Sequence, residues 1–184
     1  MKHAGTGEIV TPRLILRRYT VRDARQMNEN WATDPEVNRF MTWPIHKNIE
    51  ETISILADWE SRYTEEDWYN WAIQERDTGD VIGSISVVGI DERVRMMEIG
   101  YCLSRSRWGR GIMPEALRGV VEYLFEHTDV NRIQAKHDTD NPKSGRVMEK
   151  TGMRSEGVLR DFMINNQGIR DMKIYSILRR EWNA

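Results

Sequence analysis

The stretch Glu98-Ile-Gly-Tyr-Cys-Leu-Ser-Arg-Ser-Arg-Trp-Gly-Arg-Gly-Ile-Met-Pro-Glu-Ala constrains this chain more than any other. Residues 94–103 read as a strand. Gly109-Arg110-Gly111 then turns the chain, and a helix opens with Leu117, Val120, Val121, Leu124 and Phe125 on one stripe. Pro114 falls in its first turn, where a missing N–H costs little. A helix N-terminus carries unpaired N–H groups and partial positive charge, and glycine lets main chain approach an anion closely. Arg105, Arg107 and Arg110 add positive charge to the same place. The segment is a candidate pyrophosphate cradle; the plainer reading is a tight turn with solvated arginines. It lacks the Gly-x-x-x-x-Gly-Lys-Ser/Thr of a nucleotide triphosphatase, and Pro114 replaces the last glycine of Gly-x-Gly-x-x-Gly. ATP and dinucleotides therefore fit poorly.

Around this turn the pattern predicts an α/β fold. Residues 14–18 form a first strand, and Thr20 or Asp23 caps a helix through Ala24, Met27 and Trp31. Asp34-Pro35 ends that helix and opens a short turn, and a second helix fits residues 48–63. Residues 69–74, 81–90 and 94–103 make an antiparallel meander, folded at Asp77-Thr78-Gly79-Asp80 and Asp91-Glu92-Arg93. The strand at 132–137 returns parallel through the helical crossover. A helix starts at Asn141-Pro142 and stops at Gly152. Residues 153–164 and 169–178 close the fold as a hairpin around Asn165-Asn166-Gln167-Gly168. The sum is an α+β mixed sheet of about seven strands, with an antiparallel first part and flanking helices. The glycine turn lies where the strand bonding changes. Residues 1–10 read as a loose leader and 11–184 as one domain.

Composition excludes several functions. Over 184 residues the formal charge is −2, so a generic electrostatic binder of nucleic acid is not expected. Cys102 is the single cysteine, which removes internal disulfides and thiolate metal clusters. Neither a signal-peptide core nor an apolar run of 18 residues occurs, so no membrane partner is expected and a cytoplasmic location is the default. His3, His46, His127 and His137 have no metal-ligand spacing, and no metal is expected. Cys102 sits in an apolar strand with no nearby histidine, which suits packing rather than nucleophilic catalysis. Most of the tryptophans, including Trp31, Trp59, Trp68 and Trp71, read as core residues.

A second segment, residues 140–153, adds to the first. Asn141 stands at a strand end and Ser144 lies in the first turn of a helix, while Lys143, Arg146 and Lys150 share one face. Alone, this is equally an N-capped helix with a solvated basic stripe. The two segments together resemble the GNAT superfamily of N-acetyltransferases, most closely its ribosomal-protein N-terminal (RimJ/RimL-like) type. The resemblance begins at Thr11-Pro12-Arg13-Leu14-Ile15-Leu16-Arg17 and includes Asp23-Ala24 and Asp34-Pro35-Glu36-Val37. It continues through Glu98-Ile99-Gly100-Tyr101, Trp108-Gly109-Arg110-Gly111 and Pro114-Glu115-Ala116. It ends with Asn141-x-x-Ser144, Glu149-Lys150-x-Gly152 and the closing hairpin. Met113 departs from the small residue that usually ends the superfamily's phosphate loop.

This resemblance implies a GNAT-like acyl-CoA N-acyltransferase fold, with acetyl-CoA as co-substrate and a primary amine as acceptor. It implies that backbone amides of Trp108, Gly109, Arg110, Gly111, Ile112 and Met113 hold the pyrophosphate. The strand edge at Cys102 and Leu103 would pair with the pantetheine arm, and an amide there would polarise the thioester carbonyl. Asn141 would contact the pantetheine and Ser144 would sit near the sulfur. Glu98, on the strand leading to the thioester, is the first candidate for the base and for holding the acceptor ammonium. Trp43, in the loop before the second helix, is the candidate substrate-facing aromatic. The acceptor stays open between a protein N-terminus and a small molecule such as a polyamine, an amino acid or an aminoglycoside. A non-catalytic acyl-CoA-binding module and a homodimer also stay open.

Overall fold

Period-two burial organises the sheet: Leu14 and Leu16 are fully buried, whereas Ile15 and Arg17 between and beside them are not. In the computed structural model, which describes residues 1–182, the strands are β1 (Ile9–Val10), β2 (Leu14–Arg17), β3 (Asn70–Glu75), β4 (Val81–Asp91), β5 (Met96–Leu103), β6 (Arg132–Asp138), β7 (Arg154–Asn165) and β8 (Gly168–Leu178). They form an 8-stranded sheet in the order β1-β2-β3-β4-β5-β6-β8-β7. All neighbours are antiparallel except β5 and β6. The helices are α1 (Ala24–Met27), α2 (Pro35–Asn38), α3 (Ile49–Ser61), α4 (Ile112–His127), α5 (Pro142–Lys150) and α6 (Arg179–Trp182). The run of β5, α4 and β6 is the crossover that a parallel pair requires.

Two apolar cores cover the two sheet faces. One unites Leu14, Leu16, Trp71, Ile73, Met97, Ile99 and Ile133 with the stripe of α4 and with Met148 of α5. The other unites Tyr19, Met27, Trp31, Leu56, Val81 and Cys102 beneath α1 and α3. Alternation along β5 thus sends Ile99, Tyr101 and Leu103 toward α4 and α5, and Glu98, Gly100 and Cys102 toward the opposite face. Local signals set the helix starts. The Asn48 side chain accepts from the Glu51 amide at 2.9 Å, and the Asp34 side chain from the Glu36 amide at 2.9 Å, with Pro35 first in its helix.

Two expectations are corrected. Residues 1–10 are not a loose leader. Thr6 is buried, its hydroxyl donates to Trp68 O at 2.8 Å and accepts from the Asn70 amide at 3.0 Å, and β1 joins the sheet as an additional strand. The polar, glycine-rich composition of this segment concealed contacts made with residues some sixty positions away. The helix expected through Trp31 is also irregular: α1 passes into a π-helical turn over Asn28–Ala32. Asn30 in this turn donates to Val81 O at 2.7 Å, and Gln26 of α1 accepts from the Val81 amide at 2.6 Å. These side chains satisfy the start of β4 beside a register shift at Ile73/Gln74.

Gly145 of α5 packs directly on the buried His137 ring; a Cβ there would lie 2.5 Å from His137 Nε2. Gly145→Ala should destabilise the protein by about 1–3 kcal/mol through overpacking. Adding His137→Ala should recover part of that loss. Urea unfolding of the two variants checks this, and additive losses would contradict it.

Candidate active site

The parallel pair β5–β6 is joined at Met96/Arg132, Met97/Ile133 and Glu98/Gln134, and beyond Glu98 the two strands run on unpaired with each other. β5 nevertheless keeps its ladder with β4 through Cys102/Ser84 and Leu103/Gly83. A cleft therefore opens in the middle of the sheet. The Ser104 amide donates to Ile82 O at 2.8 Å. In an antiparallel ladder hydrogen-bonded pairs alternate, so the main-chain groups of Cys102 face β4 and those of Leu103 face the cleft. Of the two expected strand-edge residues, Leu103 carries the amide on the open side. Cys102 points its side chain into the core of the α1–α3 face, and burial pushes its thiol up to about 12.

At the end of β5 the chain makes a short 3-10 turn and reaches Trp108, whose indole donates to Leu103 O at 2.8 Å. Gly109 and Gly111 follow at φ +77° and +72°, the left-handed conformation that glycine adopts without a Cβ penalty. Gly111 caps α4 with no side-chain bond of its own, and a Cβ at Gly109 would meet nothing within 4 Å. The turn is thus open around Gly109, and no side chain caps the start of α4, an arrangement that suits an anion. Ile112 and Met113 are buried in the α4-side core, so they offer the turn their backbone. Met113 fills the core rather than the cradle. The arginines divide their work. Arg105 pairs with Asp34 at 3.0 Å, and Arg107 pairs with Glu75 at 2.8 Å and with Asp80 at 3.4 Å. Arg110 is exposed and has no ion pair among the described residues. Local charge at the turn is smaller than three arginines in sequence suggest.

On the α4–α5 side of the cleft, Tyr101 bridges to the start of α5. Its hydroxyl lies 3.0 Å from Ser144 Oγ and donates to Ser144 O at 3.0 Å. Burial raises the Tyr101 pKa, partly offset by that bond to Ser144. Tyr101 was missed as a site residue; its alternation with Cys102 along β5 was the available signal. Asn141 precedes α5 but makes no side-chain capping bond, which leaves its amide unengaged by the helix. Lys143 Nζ sits 5.1 Å from the Trp108 ring centre, joining the two helix starts.

On the opposite side, Glu98 accepts from Gln134 Nε2 at 2.8 Å and is ion-paired with Lys136. Lys136 also lies 5.7 Å from the centre of the Phe162 ring, at a register shift in β7. Trp43 lies in the loop after α2 with its ring against His46, 5.5 Å between centres. No hydrogen bond or ring contact joins it to Glu98 or Ser144 among the described residues. Its carbonyl accepts from Asn166 at the β7–β8 tip at 2.9 Å, and the same Asn166 amide group donates to Asn38 O at 2.8 Å. Asn165 in turn donates to the buried Asp138 at the end of β6, at 2.8 Å. Together with Asp34–Arg105, these bonds bridge the open ends of β5 and β6.

Comparison with known proteins agrees with this geometry. The Acetyltransferase (GNAT) domain family matches residues 13–154. The uncharacterized N-acetyltransferase YoaA of Bacillus subtilis is 36% identical over 92% of this chain and 95% of its own length. The [ribosomal protein uS5]-alanine N-acetyltransferase of Escherichia coli is 23% identical over 95% of this chain and 92% of that protein. Among solved structures, the microcin C7 self-immunity acetyltransferase MccE in complex with acetyl-CoA and AMP superposes with a TM-score of 0.81. It is 23% identical, with 91% of this chain and 93% of that one covered. The split mixed sheet with a glycine turn at a helix start thus accompanies a sequence match to an acetyltransferase domain. This chain belongs to the GNAT acetyltransferase family, and it is an acetyl-transferring enzyme. Among the described residues, no cluster of three or more His, Cys, Asp or Glu could hold a metal ion, and no helix is long and apolar enough to cross a membrane.

A thiol with its pKa near 12 is thiolate in only about one molecule in ten thousand at pH 8. Cys102 should therefore resist iodoacetamide in the folded protein and react readily in urea. Cys102→Ala should keep most of the transferase rate; loss of more than about tenfold with folding intact would restore a chemical role for the thiol.

Proposed function

We propose that this enzyme moves the acetyl group of acetyl-CoA to the α-amine at a protein N-terminus. The observation that carries the reading is the cleft between β5 and β6, with the open glycine turn at its end and different chemistry on its two sides. Amides of residues 108–113 would hold the diphosphate, and the Leu103 edge with Asn141 would hold the pantetheine arm. Acetyl-CoA supplies the activated thioester.

The protein's own groups then divide the reaction. The Leu103 amide donates to the thioester oxygen as negative charge develops there. Glu98, on the opposite face, takes the amine proton through a water, because Lys136 and Gln134 already engage its carboxylate. As the C–N bond forms and the C–S bond breaks, Ser144 donates a hydrogen bond to the departing sulfur, and Tyr101 orients Ser144. The buried Tyr101 hydroxyl keeps its proton and, by donating a hydrogen bond to Ser144 O, fixes the first turn of α5 that carries Ser144.

The acceptor assignment rests on proton chemistry and on kinship. At pH 7 an α-amine, with pKa near 7.7–8.0, is neutral in about a tenth of molecules, whereas a lysine-type amine near 10.4 is neutral in about one in 2,500. An engaged carboxylate suits the more easily deprotonated acceptor. The Escherichia coli relative, by its name, acts on the alanine of a ribosomal protein.

A panel of N-terminal peptides, polyamines, free amino acids and aminoglycosides, followed by thiol release from acetyl-CoA, tests the assignment. Peptides should be turned over at least about tenfold more efficiently than the small amines. Preference for a polyamine or aminoglycoside would overturn it. Glu98→Gln should lower the rate about a hundredfold or more, most strongly at low pH, with acetyl-CoA affinity nearly unchanged. An unaltered pH–rate profile would remove Glu98 as the base.

A further inference from the structure

Thr11-Pro12-Arg13 and Glu115 are part of the motif set, yet neither enters the reaction described above. In the fold they meet at the glycine turn. Arg13 Nη1 donates to Arg110 O at 2.9 Å and Nη2 to Gly111 O at 3.0 Å. Its Nε donates to Glu115 Oε2 at 2.6 Å, and its backbone amide to Glu115 Oε1 at 2.9 Å. Thr11 Oγ1 donates to the same Glu115 oxygen at 2.7 Å. One planar fork therefore holds two consecutive main-chain carbonyls, and a carboxylate one turn into α4 holds the fork.

In a trans peptide the C=O and the following N–H point in opposite directions. With the carbonyls of Arg110 and Gly111 turned toward Arg13, the amides of Gly111 and Ile112 are turned away from it. Glycines at positive φ supply the freedom for this arrangement but do not select it. We infer that Arg13 is a positioning residue for the cofactor: by holding two carbonyls it aims the Gly111 and Ile112 amides at the diphosphate. The inference rests on the proposed use of acetyl-CoA.

The test compares wild type, Arg13→Lys and Glu115→Gln with two thioesters, acetyl-CoA and S-acetylpantetheine, which lacks the diphosphate. Arg13→Lys keeps the charge and loses the fork. It should raise the Kd and KM for acetyl-CoA about tenfold or more, with kcat at saturation and kcat/KM for S-acetylpantetheine within about twofold of wild type. Glu115→Gln should shift acetyl-CoA affinity the same way by a smaller factor. Should Arg13→Lys fail to fold, Glu115→Gln carries the test, since it leaves Arg13 present without its anchor. Unchanged acetyl-CoA affinity in the folded variants, or equal losses for both thioesters, would overturn the positioning role. Failure of the wild type itself to bind acetyl-CoA would instead overturn the proposed cofactor.

Discussion

The proposed function depends on where two parallel strands stop bonding to each other. β5 and β6 are held together as far as Glu98 and Gln134 and then separate, while the outer ladders of each strand continue. Main-chain groups left facing a cleft must find partners, and in a sheet interior this is costly unless something strand-like can enter. The cleft therefore presents hydrogen-bonding groups at the sheet centre without destabilising the edges. The crossover helix α4 begins at the end of the same strand, so its N-terminal amides lie beyond the last residue of the open edge.

Alternation along β5 separates the chemistry in space. Tyr101 belongs with Ser144 and the helix side, and Glu98 with Lys136 and the other side. The carboxylate and the hydroxyl pair thus lie on opposite faces of one strand. Cys102 falls on the Glu98 face by the same rule, but it is sealed beneath α1 and α3 rather than exposed to the cleft.

The sheet and helices were legible in the sequence because periodicity and turn residues agree with the fold along most of the chain. The parallel crossover, the closing hairpin and the start of α4 were all anticipated from Gly, Pro and Asn positions. The rest depended on contacts that no local pattern carries. Glu98 meets Lys136 across 38 positions, and Arg13 meets the glycine turn across nearly a hundred. The basic character of the turn was overstated because Glu75 and Asp80, on another hairpin, engage Arg107. Met113 departs from the small residue that usually ends the superfamily's phosphate loop, yet the helix phase turns it inward. Site residues on β5 could be named but not assigned to a face until the register with β4 was known.

The bridges from Arg105 through Asp34, Asn38, Asn166 and its neighbour Asn165 to Asp138 have a mechanical consequence. They tie together the far ends of two strands that no longer bond to each other. The spacing between those ends is therefore set by side chains of α2 and the β7–β8 tip rather than by the sheet ladder.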